Sequence, residues 1–130
     1  MADCKKYDNV SIGVRATITP WNIYYYEENY DYFKKLGIDA TGIWCDDTPW
    51  NDVRYLPNKI KEAVIDKLSQ YKNTEPLWDS KFADVKKWLR TTPPNHAKLQ
   101  NAFMEFNNKI DKVRKEKFSK TFPEYSKLFA

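Results

Sequence analysis

Only two stretches of the 130-residue chain read as β-strands, and one helix separates them. In residues 10–19 (VSIGVRATIT), Val10, Ile12, Val14, Ala16 and Ile18 alternate with Ser11, Gly13, Arg15, Thr17 and Thr19. That period of two places one set of side chains on each face of a strand. Thr19 followed by Pro20 supplies a helix N-cap and a proline at the first helical position, where the missing N–H leaves no bond unmade. A helix is expected directly after it. Ile23, Tyr26, Tyr30 and Phe33 share one face of that helix, while Glu27, Glu28, Asp31 and Lys34 fall largely on the other. Gly37 is a natural left-handed stop. Residues 38–45 (IDATGIWC) then read as the second strand, and a strand–helix–strand connection predicts a right-handed crossover and a parallel pair. Two parallel strands alone make a poor structure, so helices or another chain must cover them.

The remainder is helical in pattern. Residues 46–55 form a polar loop, and after Pro57 the stripe Ile60, Val64, Leu68 and Tyr71, widened by Ala63 and Ile65, predicts four turns ending near residues 71–74. Glu75-Pro76 breaks that helix. Trp78, Phe82, Val85, Trp88 and Leu89 predict the next, capped by Asp79 or Ser80 and ended by Pro93-Pro94. Leu99, Phe103, Phe106, Ile110 and Val113 repeat at four and three, a short heptad-like seam that wants an apolar groove or a partner helix. Thr121 and Glu124 stand at capping-box spacing around Pro123, predicting a short final helix with Phe122, Tyr125 and Phe129 turned inward. The fold class is therefore α/β: a small βαβ unit of two parallel strands, then a mainly helical C-terminal region of about four helices.

One domain spanning residues 1–130 is expected, large enough to bury a core without staples. No apolar run approaches the roughly 20 residues of a membrane-spanning helix, and the first ten residues lack the apolar centre of a signal peptide. A cytoplasmic chain with reduced Cys4 and Cys45 is the expectation. Charge is uneven: residues 1–52 carry 5 Lys and Arg against 9 Asp and Glu, and residues 53–130 carry 17 against 9. The basic half suits nucleic acid or an acidic protein surface, although a solvated lysine-rich helix face gives the same count.

Few residues are arranged for chemistry. His96 is the only histidine and lies at a helix start, where an exposed cap-region role suffices. Nothing in the spacing brings it to a cysteine or serine for nucleophilic catalysis, and cysteines at 4 and 45 lack the close pairing of zinc ligands. Asp46, Asp47 and Asp52 follow the second strand, where open α/β sheets bind ligands. They suit Mg²⁺ held through carboxylates and waters or, more plainly, a solvated acidic loop. Glycines at 13, 37 and 42 cannot build a phosphate loop. With 18 Lys to 4 Arg, the basic residues favour nonspecific electrostatics over base reading.

The order of the pieces resembles the latter part of radical S-adenosylmethionine proteins, the short twitch-type members especially. The resemblance is carried by residues 10–19 with Pro20 and a helix ending Leu36-Gly37-Ile38, by Tyr55-Leu56-Pro57 at a helix start, and by Ile110-Asp111-Lys112-Val113-Arg114 followed by FSKTFPEY at 118–125. Family chemistry rests on an iron–sulfur cluster held by CxxxCxxC, which Cys4 and Cys45 cannot supply. The resemblance thus implies late barrel elements without their catalytic beginning, and no catalytic, cofactor-binding or metal residue carries over, Arg15 included. Such a remnant is suited to binding through a strand edge and apolar helix faces. It implies a non-enzymatic inhibitor of the kind phages and mobile elements encode, most concretely an anti-CRISPR protein that blocks an RNA-guided, RNA-cleaving (type VI) effector nucleoprotein. RNA would be met through that partner, no membrane is involved, and self-pairing by the strand edge is open. The alternatives are an accessory domain of a radical system and a nonspecific RNA-binding module. The residues expected to meet a partner are Lys86, Lys87 and Arg90, Lys109, Lys112 and Lys115, and Tyr24, Tyr25 and Tyr32, which lie off the buried stripe of the first helix.

Overall fold

The computed structural model describes residues 7–45, 48, 50–71, 76–123 and 125–126. The elements are β1 (Gly13–Ile18), α1 (Tyr26–Lys35), β2 (Asp39–Trp44), α2 (Asn58–Gln70), α3 (Pro76–Arg90), α4 (His96–Arg114) and the short α5 (Phe118–Thr121), with 3-10 turns at Ile23–Tyr25 and Val53–Tyr55. β1 and β2 pair in parallel, from Gly13 beside Asp39 to Ile18 beside Trp44. The expected small α/β fold with a four-helix C-terminal region is what the chain adopts.

Alternation along β1 follows the period of two. Ile18 is buried and Val14 and Ala16 half-buried, whereas Gly13, Arg15 and Thr17 are exposed. Beyond the strand the expected helix start is corrected. The Thr19 N–H donates to Asn22 Oδ1 (2.9 Å), Asn22 Nδ2 donates to Thr17 O (2.7 Å), and the N–H groups of Asn22 and Ile23 turn back to Thr19 O. A polar turn knotted by Asn22, followed by a 3-10 turn, therefore stands where Thr19 and Pro20 suggested a capped helix, and α1 begins only at Tyr26. It ends as read: Gly37 takes φ 63°, with Gly37 N–H donating to Lys34 O and Ile38 N–H to Phe33 O. This is the two-bond C-terminal motif that wants glycine. Glu27 departs from its expected outer face. It is buried, held there by Lys67 of α2 at 2.7 Å.

α2 buries Ile60, Val64, Ile65 and Leu68 as its stripe demands and stops at Gln70. Pro76 opens α3 rather than breaking a helix, since proline at the first helical position needs no N–H partner; Asp79 and Ser80 lie inside the helix, not at its cap. The seam of α4 is interrupted: Phe103 is buried, but Val113 is 80% exposed. The short α5 precedes the expected final helix; past it, residues 123, 125 and 126 are helical and Tyr125 is buried, as the spacing around Pro123 predicts. Glu124, Phe129 and residue 74 lie outside the described residues, as do Cys4, Asp46, Asp47 and the Trp78 side chain.

The core draws on both charge halves of the chain, joining Ile18, Ile23, Tyr26 and Ala40 to Leu56, Ile60, Val64, Phe82, Leu89, Phe103 and Tyr125. Tyr26 and Tyr30 meet the Phe82 ring edge-on, with centroids 5.7 and 6.0 Å away. Gly42 leaves room for Ile18 and the Tyr26 hydroxyl beside the sheet. A Cβ there would overlap Cδ1 of Ile18 and sit 3.1 Å from the Tyr26 hydroxyl.

Candidate partner-binding surface

The sheet is unfinished on the β1 side. The Cys45 N–H donates to Ile18 O (3.3 Å), and with the observed register the ladder's alternation turns the backbone groups of Val14, Ala16 and Ile18 toward β2. Those of Gly13, Arg15 and Thr17 point away. Asn22 occupies Thr17 O on that edge, and on the opposite edge Lys81 Nζ of α3 donates to Ala40 O (3.1 Å). β2 is thus guarded by a helix, whereas among the described residues no element lies along β1. The outward sheet face carries the exposed Arg15 and Thr17, Ile43 at 47% exposure and a half-buried Thr41. The crevice between β1, β2 and α1 has room for about 20 Å³, on the order of one water.

A larger concavity lies beyond the turn that follows β1. The turn after β1 projects Trp21 toward α4, where its Nε1–H donates to Asn107 Oδ1 (3.1 Å) and Asn107 Nδ2 donates to Phe103 O (2.9 Å). Asp111, one turn further on, accepts the Phe118 N–H at both carboxylate oxygens (3.0 and 2.9 Å), capping α5 and holding it across α4. Between these anchors runs a groove of about 430 Å³ floored by Trp21, Phe106, Ile110, Phe118 and Phe122. Asp111, Arg114 and Glu116 are its charged lining.

The residues expected to meet a partner are divided by this geometry. Trp88 and His96 both touch the Val53–Tyr55 turn, so Lys86, Lys87 and Arg90, at the end of α3, lie near the start of α4. Lys109 and Lys112 are 13 and 16 residues further along α4 than His96, about 20–24 Å at 1.5 Å per residue. Lys109, Lys112 and Lys115 are all exposed, toward the C-terminal end of α4. Tyr24 and Tyr25 are half-buried and engaged: Lys67 Nζ lies 4.5 and 5.5 Å from their ring centroids and donates to Tyr24 O (2.9 Å), and the Tyr125 hydroxyl accepts the Tyr24 N–H (3.3 Å). Tyr32 stands out, 61% exposed. The groove itself escaped the sequence reading, because its lining is drawn from residue 21 and residues 106–122; its one local signal was the Phe106–Ile110 part of the seam.

Two charge clusters are structural. Asp52 is 1% exposed; its carboxylate takes the Arg54 backbone N–H (2.9 Å) and, in a two-pronged pair, the Arg54 guanidinium, which in turn lies 4.4 Å from the Trp88 ring centroid. It is neither a solvated loop acid nor a vacant ligand for Mg²⁺. Lys61 is buried and donates to Arg54 O (3.0 Å), with His96 Nε2 3.5 Å away. His96 opens α4 as expected, but half-buried rather than exposed. Burial lowers the Lys61 pKa below the ordinary lysine value, against smaller upward pulls from Glu62 and Asp52. At Lys67 burial works in the same direction, yet the hydrogen bonds and charges of Glu27 and Glu28 prevail and hold its pKa above the ordinary value.

Fold and surface thus define a small α/β protein with a two-stranded parallel sheet and an aromatic-lined groove. Compared with protein-family models, with curated proteins and with solved structures, the chain shows no significant match. Among the described residues, no helix is long and apolar enough to cross a membrane.

Proposed function

We propose that this chain is a non-enzymatic, cytoplasmic binding protein that acts by docking on a larger protein partner. The observation that carries the reading is the open β1 edge beside a sheet face that keeps Arg15 and Thr17 exposed. Parallel sheets are ordinarily covered on both faces, and a free strand edge is a template onto which a partner's extended segment adds as a further strand. Arg15 and Thr17 on that face give the added strand a polar, one-sided setting, which suits an interface formed and released rather than a permanent core. In its most specific form, taken from the radical S-adenosylmethionine-like remnant, the partner is an RNA-guided, RNA-cleaving effector and binding inhibits it.

Titration of the purified protein into such effectors, read by target-RNA cleavage and by co-elution in moderate salt, tests this. Stoichiometric loss of cleavage with co-elution is expected. Unchanged cleavage at saturating protein contradicts the inhibitor form. Introducing Pro at Arg15, which removes an outward N–H and leaves the inward ladder intact, should abolish co-elution.

A further inference from the structure

The free edge of β1 is closed at one end by a side chain. Asn22 Nδ2 donates to Thr17 O (2.7 Å) and its Oδ1 accepts the Thr19 N–H (2.9 Å). In a parallel pair, a residue donates to the carbonyl before its opposite number and accepts from the N–H after it. Ile18 turns its own groups toward β2, so the Asn22 amide makes the two bonds that a neighbouring strand's residue would make opposite Ile18. We propose that Asn22 fixes what this edge accepts: a short extended segment of the partner that pairs along β1 as far as the Thr17 N–H and no further, apolar on its inward side and polar on its outward side. This rests on the reading of β1 as the docking edge and adds the end point, length and pattern of the docked segment.

The open part of the edge is short. Among the described residues nothing takes the outward N–H and C=O of Gly13 and Arg15 or the outward N–H of Thr17, whereas Thr17 O is already bonded. Upstream, the Val10 N–H returns to Tyr7 O (3.2 Å), a turn that takes the chain off the line of the strand. Residues 11–17 lie between the two stops, about 20 Å of strand at 3.3 Å per residue. Burial sets the pattern. On the helix side Ile18 is buried, as is Ala40, the register partner of Val14, but Val14 and Ala16 remain half-buried. Phe33 of α1, also half-buried, lines the same crevice as Ala16. A strand added beside β1 covers these residues with its inward side chains, and its other face comes level with the exposed Arg15 and Thr17. The two Asn22 bonds also knot the turn after β1, and the dependence of binding on segment length separates a stop from a knot.

The test uses the ¹⁵N-labelled full chain and three capped peptides: alternating Val and Thr matched in length to residues 11–17, the same peptide lengthened by a Val–Thr pair at each end, and an all-Thr peptide of the shorter length. Both Val–Thr peptides should shift the Gly13, Arg15 and Thr17 amides, bind within about threefold of each other because the added residues find no rung, and leave the Thr19 amide in place. The all-Thr peptide should bind about threefold or more weakly, for want of apolar burial. In Asn22→Ala the Thr19 amide should join the shifted set, and the advantage of the longer peptide should rise about two- to tenfold, the worth of the released rung; the Trp21 indole, bonded to Asn107, reports that the turn is kept. A longer peptide that binds the unaltered chain about tenfold tighter and shifts Thr19, an unchanged ratio in folded Asn22→Ala, or equal binding of the all-Thr peptide overturns the proposal and leaves the open edge standing. The absence of any shift at Gly13, Arg15 and Thr17 overturns the docking edge itself, and the stop with it.

Discussion

At the scale of single residues, the two lysines of α2 show opposite uses of buried charge. Lys67 bridges Glu27 (2.7 Å) and Glu28 (3.0 Å), and its pKa is raised. Its contribution to stability is therefore complete below its unfolded value of about 10.4 and is lost as pH climbs through the raised folded value. Lys61 has a lowered pKa from burial; the cost of its charge is present below that lowered value and is relieved as pH rises toward the unfolded one. Lys67→Met should cost about 1–2 kcal/mol in urea denaturation at pH 7, below the 3–5 kcal/mol of a fully buried pair because Lys67 keeps contact with water. Much of this loss should be restored by Glu27→Gln, since Oε2 of Glu27 makes no hydrogen bond among the described residues and an unpaired carboxylate is worse than an amide there. Lys61→Met should remove the gain in stability between neutral and alkaline pH. A gain that persists in this variant would contradict the assignment to Lys61. Asp52 carries the lesson of this scale: read among neighbours 46 and 47 it is a loop acid, and only Arg54, with Trp88 from α3 behind it, makes it an interior ion pair.

At the scale of elements, the parts set by local periodicity were legible, and the parts set by a partner elsewhere in the chain were not. The α2 stripe, the glycine stop after α1 and the parallel pairing all follow from residues within one or two turns of each other. The helix start placed at Thr19 failed because Asn22 ties its side chain to both Thr17 and Thr19. The spacing around Pro123 foretold the helical residues 123, 125 and 126, but not α5 just before them, which is capped by Asp111, seven residues ahead of Phe118. Val113 was read into a seam whose last turn has no described element over it. Asp111→Ala should accordingly release α5 and cost about 1 kcal/mol, the worth of an N-cap, with the loss of Phe118 amide protection as its local signature; an unaltered Phe118 amide would contradict the cap. Gly42→Val should cost about 1–3 kcal/mol as an overpacked position, read by thermal unfolding. A neutral effect would mean that Ile18 and Tyr26 have room to move aside.

At the scale of the whole molecule, one core joins an acidic βαβ unit to a basic helical region, and two surfaces are left at separate places, the β1 edge and the α4–α5 groove. The edge was foreseeable from the count of strands; the groove was not, because its walls meet only in three dimensions. Hydrogen exchange of the free full-length chain tests the open edge most directly. Backbone N–H groups of Val14, Ala16 and Ile18 should be strongly protected, and those of Gly13, Arg15 and Thr17 should exchange orders of magnitude faster, at every protein concentration. Uniform protection along β1, or protection of Gly13, Arg15 and Thr17 that grows with concentration, would show the edge already paired within the chain or with a second copy, and would contradict an edge held open for a different protein.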